Sequence, residues 1–423
     1  MCSRVRGNRL GGDFERLLAA SAISAAGTAV TTVALPIVAL VTLRANTFEV
    51  GVISAAGLGA WLLFGLSAGV WVERMRRRPL MIICDLARAV ALASIPLASV
   101  LHLLTVAQVV IAALVVGICS VFFDIAGQSY VPSIVAPSQL LAGNGRMQVS
   151  HAAAGTAGPA LGGALVQSLG ASLSLLADVL SYVVSAVLLA RVGKREAPAV
   201  RSGPRRMLPQ VKEGLGYVWR DPVFRPLMVV AAISNLFGAA FDTLVVPFLL
   251  RDVGVSAVAI GVLLAIGGVG GLLGAAVGPS LADKVGGARV LVVAAIAGPL
   301  LGLLVPTSRA GVGLVAFVVG LLGREVGIAI VSLLARTIRQ LTAPPELLAR
   351  ITATVRFVSW GVLPIGALIG GSLGQLMGPR VALSVVSGLM LLSALPIAFM
   401  SPRALQALMD DATAALPRPV GSG

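Results

Sequence analysis

Long apolar runs alternate with short polar stretches along most of this chain. An α-helix rises about 1.5 Å per residue, so roughly 20 apolar residues cross the hydrocarbon core of a bilayer. The runs are continuous rather than alternating in polarity, which excludes a β-barrel. The pattern therefore predicts an all-α integral membrane protein. Its twelve predicted spans are Leu17–Leu43, Val50–Val72, Leu80–Leu104, Val106–Val131, Gln148–Leu169, Leu173–Leu189, Leu227–Leu250, Val258–Leu281, Val290–Val305, Val312–Leu334, Val355–Leu376 and Val381–Met400.

Composition and charge agree with this pattern. Hydrophobic residues make up 57% of the chain and charged residues 12%, whereas a soluble domain carries about 25% charge. The net charge of +15 raises the question of nucleic-acid binding. However, 26 of the 32 Lys and Arg residues fall on the side of the N-terminus, and only Arg44, Arg251, Arg309 and Arg380 fall on the other. This positive-inside bias places both termini in the cytoplasm of an inner-membrane protein and explains the charge without nucleic acid.

Two short sequence patterns each occur twice, once in each half of the chain. The loop acids Glu73 and Asp283 stand 210 positions apart, and Ala136–Ala142 resembles Ala343–Ala349 at an offset of 207. Such a repeat predicts two pseudo-symmetric six-helix bundles, since alternating access is the rocking of one half against the other. The expected divisions are an N-terminal bundle at 1–190, a central loop at 191–225, a C-terminal bundle at 226–400 and a cytoplasmic tail at 401–423. Apolar residues at helical spacing in the second part of the central loop predict a short helix on the membrane surface.

Ionisable side chains within the predicted spans are costly, at about 2.5–3.5 kcal/mol each by insertion scales, and so indicate function. Four stand out: Asp124 in span 4, Asp242 in span 7, and Arg324 with Glu325 in span 10. Each carboxylate is a candidate proton carrier, because burial disfavours its charged form. The alternative is that Asp242 and Arg324 form a structural pair, which would make Glu325 the carboxylate left over.

Polar faces accompany these charges on spans 1, 4 and 7. Ser120, Asp124 and Gln128 share one face of span 4, and Asn235 and Asp242 share one face of span 7. In span 1 a stripe includes Thr28 and Thr31. Such faces indicate a central cavity for a small molecule, although a Ser/Thr stripe is equally typical of helix–helix packing.

Several other chemistries are excluded. No phosphate-cradling G-x-x-x-x-G-K-[ST] sequence occurs, so an ion gradient, a solute gradient or a partner must supply the energy. The cysteines Cys2, Cys84 and Cys119 fit no metal-ligand spacing, and neither His102 nor His151 is interpreted as a ligand. No metal or cofactor is expected. No nucleophile–base set is visible, which argues against an enzyme.

At this point the chain resembles the major facilitator superfamily, over roughly Phe14 to Met400. Gly69-x-x-x-Glu73-Arg74 and the basic residues after it are similar to the superfamily's loop motif between helices 2 and 3, which acts as a gate latch. The resemblance assigns this latch to Gly69, Glu73, Arg74, Arg77 and Arg78, with a second copy at Asp283 and Lys284.

Span 5 is similar to the Gly-Pro motif of proton-coupled drug exporters, and the resemblance favours export over import. Small residues permit close helix packing, and a proline bends a helix. The matching residues are Gly158, Pro159, Gly162 and Gly163. Shorter matches, such as Phe122-Phe123-Asp124 and Gln128–Pro132, resemble the branch of enterobactin exporters and macrolide efflux proteins. Gly27 is followed by Thr28, where many branch members carry Asp, so coupling would fall to Glu325, Asp124 or Asp242.

The sequence thus predicts a monomeric secondary exporter of small amphipathic molecules, working by alternating access in a lipid bilayer with protons as the coupling ion. Drugs, macrolides, siderophores and natural products are the expected substrates. Two alternatives remain open. One is an importer or lipid-type facilitator on the same fold, and the other is a non-transporting membrane sensor.

Overall fold

The described part of the chain is built from helices that follow the predicted spans. The computed structural model describes residues 11–65, 67–136, 139–193 and 215–398, and these ranges contain no strand. The twelve long helices are α1 Gly12–Ile37, α2 Thr47–Phe64, α3 Arg77–Val100, α4 Val106–Ile134, α5 Leu140–Leu169, α6 Ala171–Ala190, α7 Phe224–Pro247, α8 Ala257–Val285, α9 Gly287–Gly302, α10 Leu314–Thr342, α11 Pro345–Gly361 continuing as Leu363–Met377, and α12 Pro379–Met390.

Eleven spans in the described ranges are long and apolar enough to cross a membrane. The twelfth expected span lies in α5, which has 30 residues and a length of about 45 Å. Its glycine, serine and histidine residues lower its mean hydropathy. α5 is therefore long enough to cross a membrane but less apolar than the other spans. Within the predicted second span the helix is interrupted at Gly65 and resumes as the short helix Ser67–Arg74.

The internal repeat has a counterpart in the backbone. α1 contains Pro36 in its last turn and continues as a π-helical turn, Val38–Thr42. α7 ends at Pro247 and likewise continues as a π-helical turn, Phe248–Val253. A proline lacks the N–H of the regular helical ladder, and widened turns are rare in helices. The same irregularity at equivalent places therefore supports two related halves.

The first compact unit comprises Met1–Arg205 and Leu249–Ala265. Within it α1 packs against α5 and α6, α3 packs against α4 and α6, and α2 packs against α4. The buried apolar side chains that hold these helices together include Phe14, Leu17, Met81, Tyr130 and Leu189.

The second unit comprises Arg206–Phe248 and Ile266–Gly423. Here α9 packs against α10, and α7 packs against both α11 and α12. Leu291, Ile330 and Leu334 belong to its core. The two compact units do not coincide with the two halves of the sequence, because Leu249–Ala265 belongs to the first unit. The domain boundaries expected from the sequence therefore stay a prediction.

Two predicted segments fall largely outside the described ranges. The interfacial helix and the tail are expected within 191–225 and 401–423, whereas residues 194–214 and 399–423 are not described. Residues 215–220 are helical, with Val218 buried and Trp219 exposed.

Candidate functional site

A charged triad joins α7 and α10 in the second unit. The Arg324 side chain is only 3% exposed and lies over the ring of Phe241, with 4.2 Å from its Cζ to the ring centroid. Its Nη1 donates a hydrogen bond to the Glu325 carboxylate, and its Nη2 stands 3.7 Å from Asp242 Oδ1. Glu325 is therefore not the carboxylate left over by an Asp242–Arg324 pair, since both acids share one guanidinium.

The two carboxylates of the triad differ in their access to the surface. The Asp242 side chain is 71% exposed and that of Glu325 is 26% exposed. Glycines of α8 allow this helix to lie directly on Glu325. A Cβ added at Gly270 would stand only 3.0 Å from Glu325 Cβ, so a larger residue there would be crowded against Glu325. Asp242 is thus the accessible end of the triad and Glu325 the enclosed end.

A cavity of about 490 Å³ adjoins the triad within the second unit. Its walls come mainly from α7, α10 and α11, and it is lined by Arg324, Asn235 and Trp360 together with apolar residues such as Ile328 and Val331. A cavity of this size with an apolar wall and a few polar groups is typical of small-molecule sites. Asn235, predicted from the face of span 7, therefore does line a cavity.

The Ser/Thr stripe of α1 is used for contacts with α6 in the first unit. Thr31 Oγ1 donates a 2.5 Å hydrogen bond to Asp178 Oδ2, and Thr28 shares a 2.9 Å hydrogen bond with the Tyr182 hydroxyl. Ser181 also bonds Asp178, at 2.9 Å. A buried carboxylate with hydroxyl donors is stabilised by them. In this structure the threonines join two helices, which is the packing alternative of the sequence analysis.

A second buried charge pair lies on α3. Arg88 donates a hydrogen bond to Asp85 one turn earlier, and both side chains are at most 4% exposed. The guanidinium is enclosed by two rings, at 4.3 Å from the centroid of Tyr182 and 4.4 Å from that of Phe123. The two rings come from α6 and α4, so the guanidinium of α3 contacts both neighbouring helices.

Asp124 and Gln128 lie on α4 in the first unit, whereas the triad on α7 and α10 belongs to the second. Asp124 is half-buried, and none of the described residues forms a hydrogen bond or an ion pair with it. Gln128 is exposed. Among the described residues, no group of three His, Cys, Asp or Glu side chains is placed to hold a metal ion.

The first loop motif is divided between two helices. Gly69, Glu73 and Arg74 belong to Ser67–Arg74, whereas Arg77 and Arg78 begin α3. Arg78 Nε donates a 2.9 Å hydrogen bond to the carbonyl of Leu189, and Arg78 Nη2 bonds that of Ala190. A basic residue there satisfies carbonyls at the end of α6.

The acids of both motif copies are exposed. Glu73 lies on the short helix, and Asp283 lies beside exposed Lys284 in the last turn of α8. Within the described ranges no cation forms an ion pair with Glu73 or Asp283. The latch assignment of these acids therefore stays a prediction.

We expect Glu73→Ala to leave thermal stability unchanged and to lower transport turnover. The exposed side chain has no ion pair to lose in this structure, so folding should tolerate its removal within about 0.5 kcal/mol. Thermal unfolding in detergent and substrate flux in vesicles measure the two effects separately. Asp283→Ala, made in parallel, should behave in the same way. Full turnover in the Glu73 variant would remove the latch assignment.

Glycines of the α5 motif mark places where helix backbones approach closely. A Cβ added at Gly158 would lie 2.2 Å from Ala29 Cβ on α1, and one at Gly162 would lie 3.0 Å from Val30 Cα. Gly163 faces the start of α8 inside the same unit, where its Cβ would stand 3.0 Å from Gly261 Cα. Pro159 contributes to this approach through its carbonyl oxygen, 2.3 Å from a Cβ added at Gly261.

Gly158→Leu should therefore separate α5 from α1 and stop transport. Overpacking of a filled interface costs about 1–3 kcal/mol, so the protein should still be recovered with reduced thermal stability. Gly155→Leu is the matched control, because a Cβ there meets nothing within 4 Å. Equal flux and equal melting temperature in the two variants would show that α5 and α1 are not tightly packed.

Buried charges beside a cavity in a multi-pass helical bundle are typical of membrane transporters. A sequence profile of the Major Facilitator Superfamily matches residues 17–363. The chain therefore belongs to the major facilitator superfamily, which confirms the prediction from its motifs.

Comparison with individual proteins supports this assignment. The chain is 24% identical over 392 residues to the multidrug efflux pump Tap of Mycolicibacterium fortuitum, covering 90% of this chain and 94% of that protein. A mutant of the nucleoside transporter NupG is structurally similar, with a TM-score of 0.74, 13% identity, and coverage of 94% of this chain and 100% of the other. A bacterial homologue of the iron transporter ferroportin, in its inward-facing state, gives a TM-score of 0.68 at 17% identity, covering 95% and 98%. At these identities the two structures indicate the fold alone.

Proposed function

We propose that this transporter exports small amphipathic molecules by alternating access and is driven by inward proton flow. One observation carries the proposal: Arg324 lines the cavity and at the same time contacts the carboxylates of Glu325 and Asp242. The groups able to take a proton are therefore joined through one guanidinium to the wall of the candidate solute site. The similarity to a multidrug efflux pump supports export of drug-like molecules, macrolides, siderophores or other natural products.

The coupling follows from the helices on which these groups lie. A proton on Glu325 would remove the charge that holds Arg324 Nη1, and Arg324 would then be held only by the longer contact with Asp242. α7 and α10 carry the triad, and both also form walls of the cavity. Protonation would thus change the contact between two cavity walls. A ligand or proton shifts an equilibrium only as far as it favours one state, and a closer Arg324–Asp242 contact between α10 and α7 would provide such a preference.

The remaining parts of the proposal concern placement. We place the chain in the inner membrane with both termini in the cytoplasm, on the distribution of Lys and Arg, and we propose that it works as a monomer. Two six-helix bundles, at 1–190 and 226–400, would be the moving parts. The glycine contacts of α5 would let its neighbours slide past one another with little change in packing.

The test is proton movement in reconstituted vesicles under an imposed pH gradient. A panel of macrolides, siderophores and other antibiotics is added, and internal pH is recorded with a trapped dye. Substrate-triggered proton flux opposite in direction to the substrate would support antiport and hence export, whereas flux in the same direction would support import by symport. Solute flux without proton flux would favour a facilitator. Silence across the panel, from protein shown to be folded, would count against the exporter and favour a non-transporting role.

A further inference from the structure

The cavity of the second unit is unusually basic. Besides Arg324 it is lined by Arg336, Arg339 and Arg356, which are called here the basic cluster. Arg339 lies close enough to Arg336 and Arg356 for like-charge repulsion. Among the described residues, no carboxylate forms an ion pair with any member of the cluster. Three neighbouring positive charges thus face one cavity, and no carboxylate in the described part of the chain pairs with them.

Two arginines of this cavity also have unused hydrogen-bond donors. The Nε atoms of Arg324 and Arg339 are buried and have no hydrogen-bond partner. The Arg324 side chain is 97% enclosed, being 3% exposed. Buried polar groups in folded proteins nearly always find a partner, so these donors at the cavity wall are available to an acceptor group of a bound molecule. The acceptors that match a guanidinium best are carboxylate, sulfonate and phosphate oxygens.

The rest of the lining is suited to an apolar body. Trp360 lies on the α11 wall, with Arg356 Cζ 5.6 Å from its ring centroid. Val331 and Val355 line the cavity nearby. An aromatic or aliphatic group could pack on these side chains while its anionic end reaches the arginines.

We propose that this cavity binds an anionic amphiphile, whose acidic group is held by the basic cluster and whose apolar body packs against Trp360. The inference rests on the proposed function in that it names the charge of the exported solute. It leaves the triad intact, because Asp242 and Glu325 remain with Arg324. Soluble organic anions and acidic lipid headgroups share this chemistry, and the experiment below separates them.

Binding is measured on the full-length protein in nanodiscs of neutral phosphatidylcholine, with two fluorescent probes and no gradient. Fluorescein and rhodamine 123 share a ring system, but one is anionic and the other cationic. Fluorescence anisotropy should show fluorescein bound about ten-fold or more tighter than rhodamine 123. Arg339→Gln should weaken fluorescein binding by about ten-fold, and Arg339→Lys should retain part of it. Arg289→Gln removes an exposed charge of the same unit outside the cavity and should change nothing.

Equal affinity for the two probes would overturn the proposal, as would unchanged fluorescein binding in a monodisperse Arg339→Gln variant. Adding phosphatidylglycerol to the nanodiscs identifies the occupant. Displacement of fluorescein would indicate a lipid headgroup, whereas unaffected binding would indicate a soluble anion, and both outcomes retain the anion site. Because no gradient is used, charge-selective binding without export would remove only the proposed function. Export of cations without fluorescein binding would remove only this inference.

Discussion

Glu325→Gln abolishes substrate-driven proton flux in vesicles while the protein remains folded: this is the largest functional effect we expect. Glutamine keeps the shape and hydrogen-bonding capacity of the side chain but can neither carry the proton nor hold Arg324 by charge. Arg324 keeps its ion pair with Asp242 at 3.7 Å, so the buried positive charge of Arg324 remains partly neutralised. Flux is measured under an imposed pH gradient and should fall to the level of protein-free vesicles.

Asp124→Asn is the comparison for this experiment, since it removes another membrane carboxylate that no described cation pairs with. It should retain most of the flux. Retained proton flux in Glu325→Gln, together with its loss in Asp124→Asn, would transfer the carrier role to α4. Loss in both would mean that two carboxylates act in sequence.

Arg88→Met should produce the largest loss of stability. It leaves the Asp85 carboxylate, which is 0% exposed, without its cation. Breaking a buried ion pair by removing one partner costs about 3–5 kcal/mol. The Tyr182 and Phe123 rings would also lose the guanidinium that lies between them. Folded yield and thermal unfolding in detergent measure the effect.

The double variant Asp85→Leu with Arg88→Met tests the cause. Replacing both members of a buried pair by apolar residues is often neutral, so the double variant should recover much of the lost stability. Arg289→Met is the surface control and should change the unfolding free energy by no more than about 0.5 kcal/mol. A double variant as unstable as Arg88→Met would show that the rings and packing, rather than the charge pair, determine the stability.

The helices could be predicted from the sequence because apolar length is a direct requirement of the bilayer. Their ends could not. The expected tenth span stopped at Leu334, whereas α10 continues to Thr342. The apolar run ends where the membrane is expected to end, but backbone hydrogen bonding continues beyond it. Arg336 and Arg339 were therefore interpreted as loop charges that set topology, although they lie on the helix and line a cavity. A prediction that continued the helical face of α10 for two more turns would have included both arginines.

The site could be predicted only as a set of residues. Buried charges are rare in spans, so Asp242, Arg324 and Glu325 were identifiable. Their pairing depends on how α7 meets α10, which one sequence does not specify. Thr28 and Thr31 show the same limit, because a hydroxyl stripe serves a substrate and a neighbouring helix equally well. In this structure Thr31 bonds Asp178 and Thr28 bonds Tyr182, both on α6, and a role of the threonines toward a substrate stays a prediction.

The enclosure of Arg88 has a consequence for synthesis. Its carboxylate partner Asp85 is on the same helix, so α3 can leave the ribosome with its charge already neutralised. The ring of Tyr182 is made 94 residues later. At about 5–20 residues per second, α3 waits roughly 5–20 s for it. The ring of Phe123 is made 35 residues after Arg88, so the arginine has neither ring at first and only that one for the rest of the interval. An acid one turn away on the same helix gives the arginine a partner before either ring has been made.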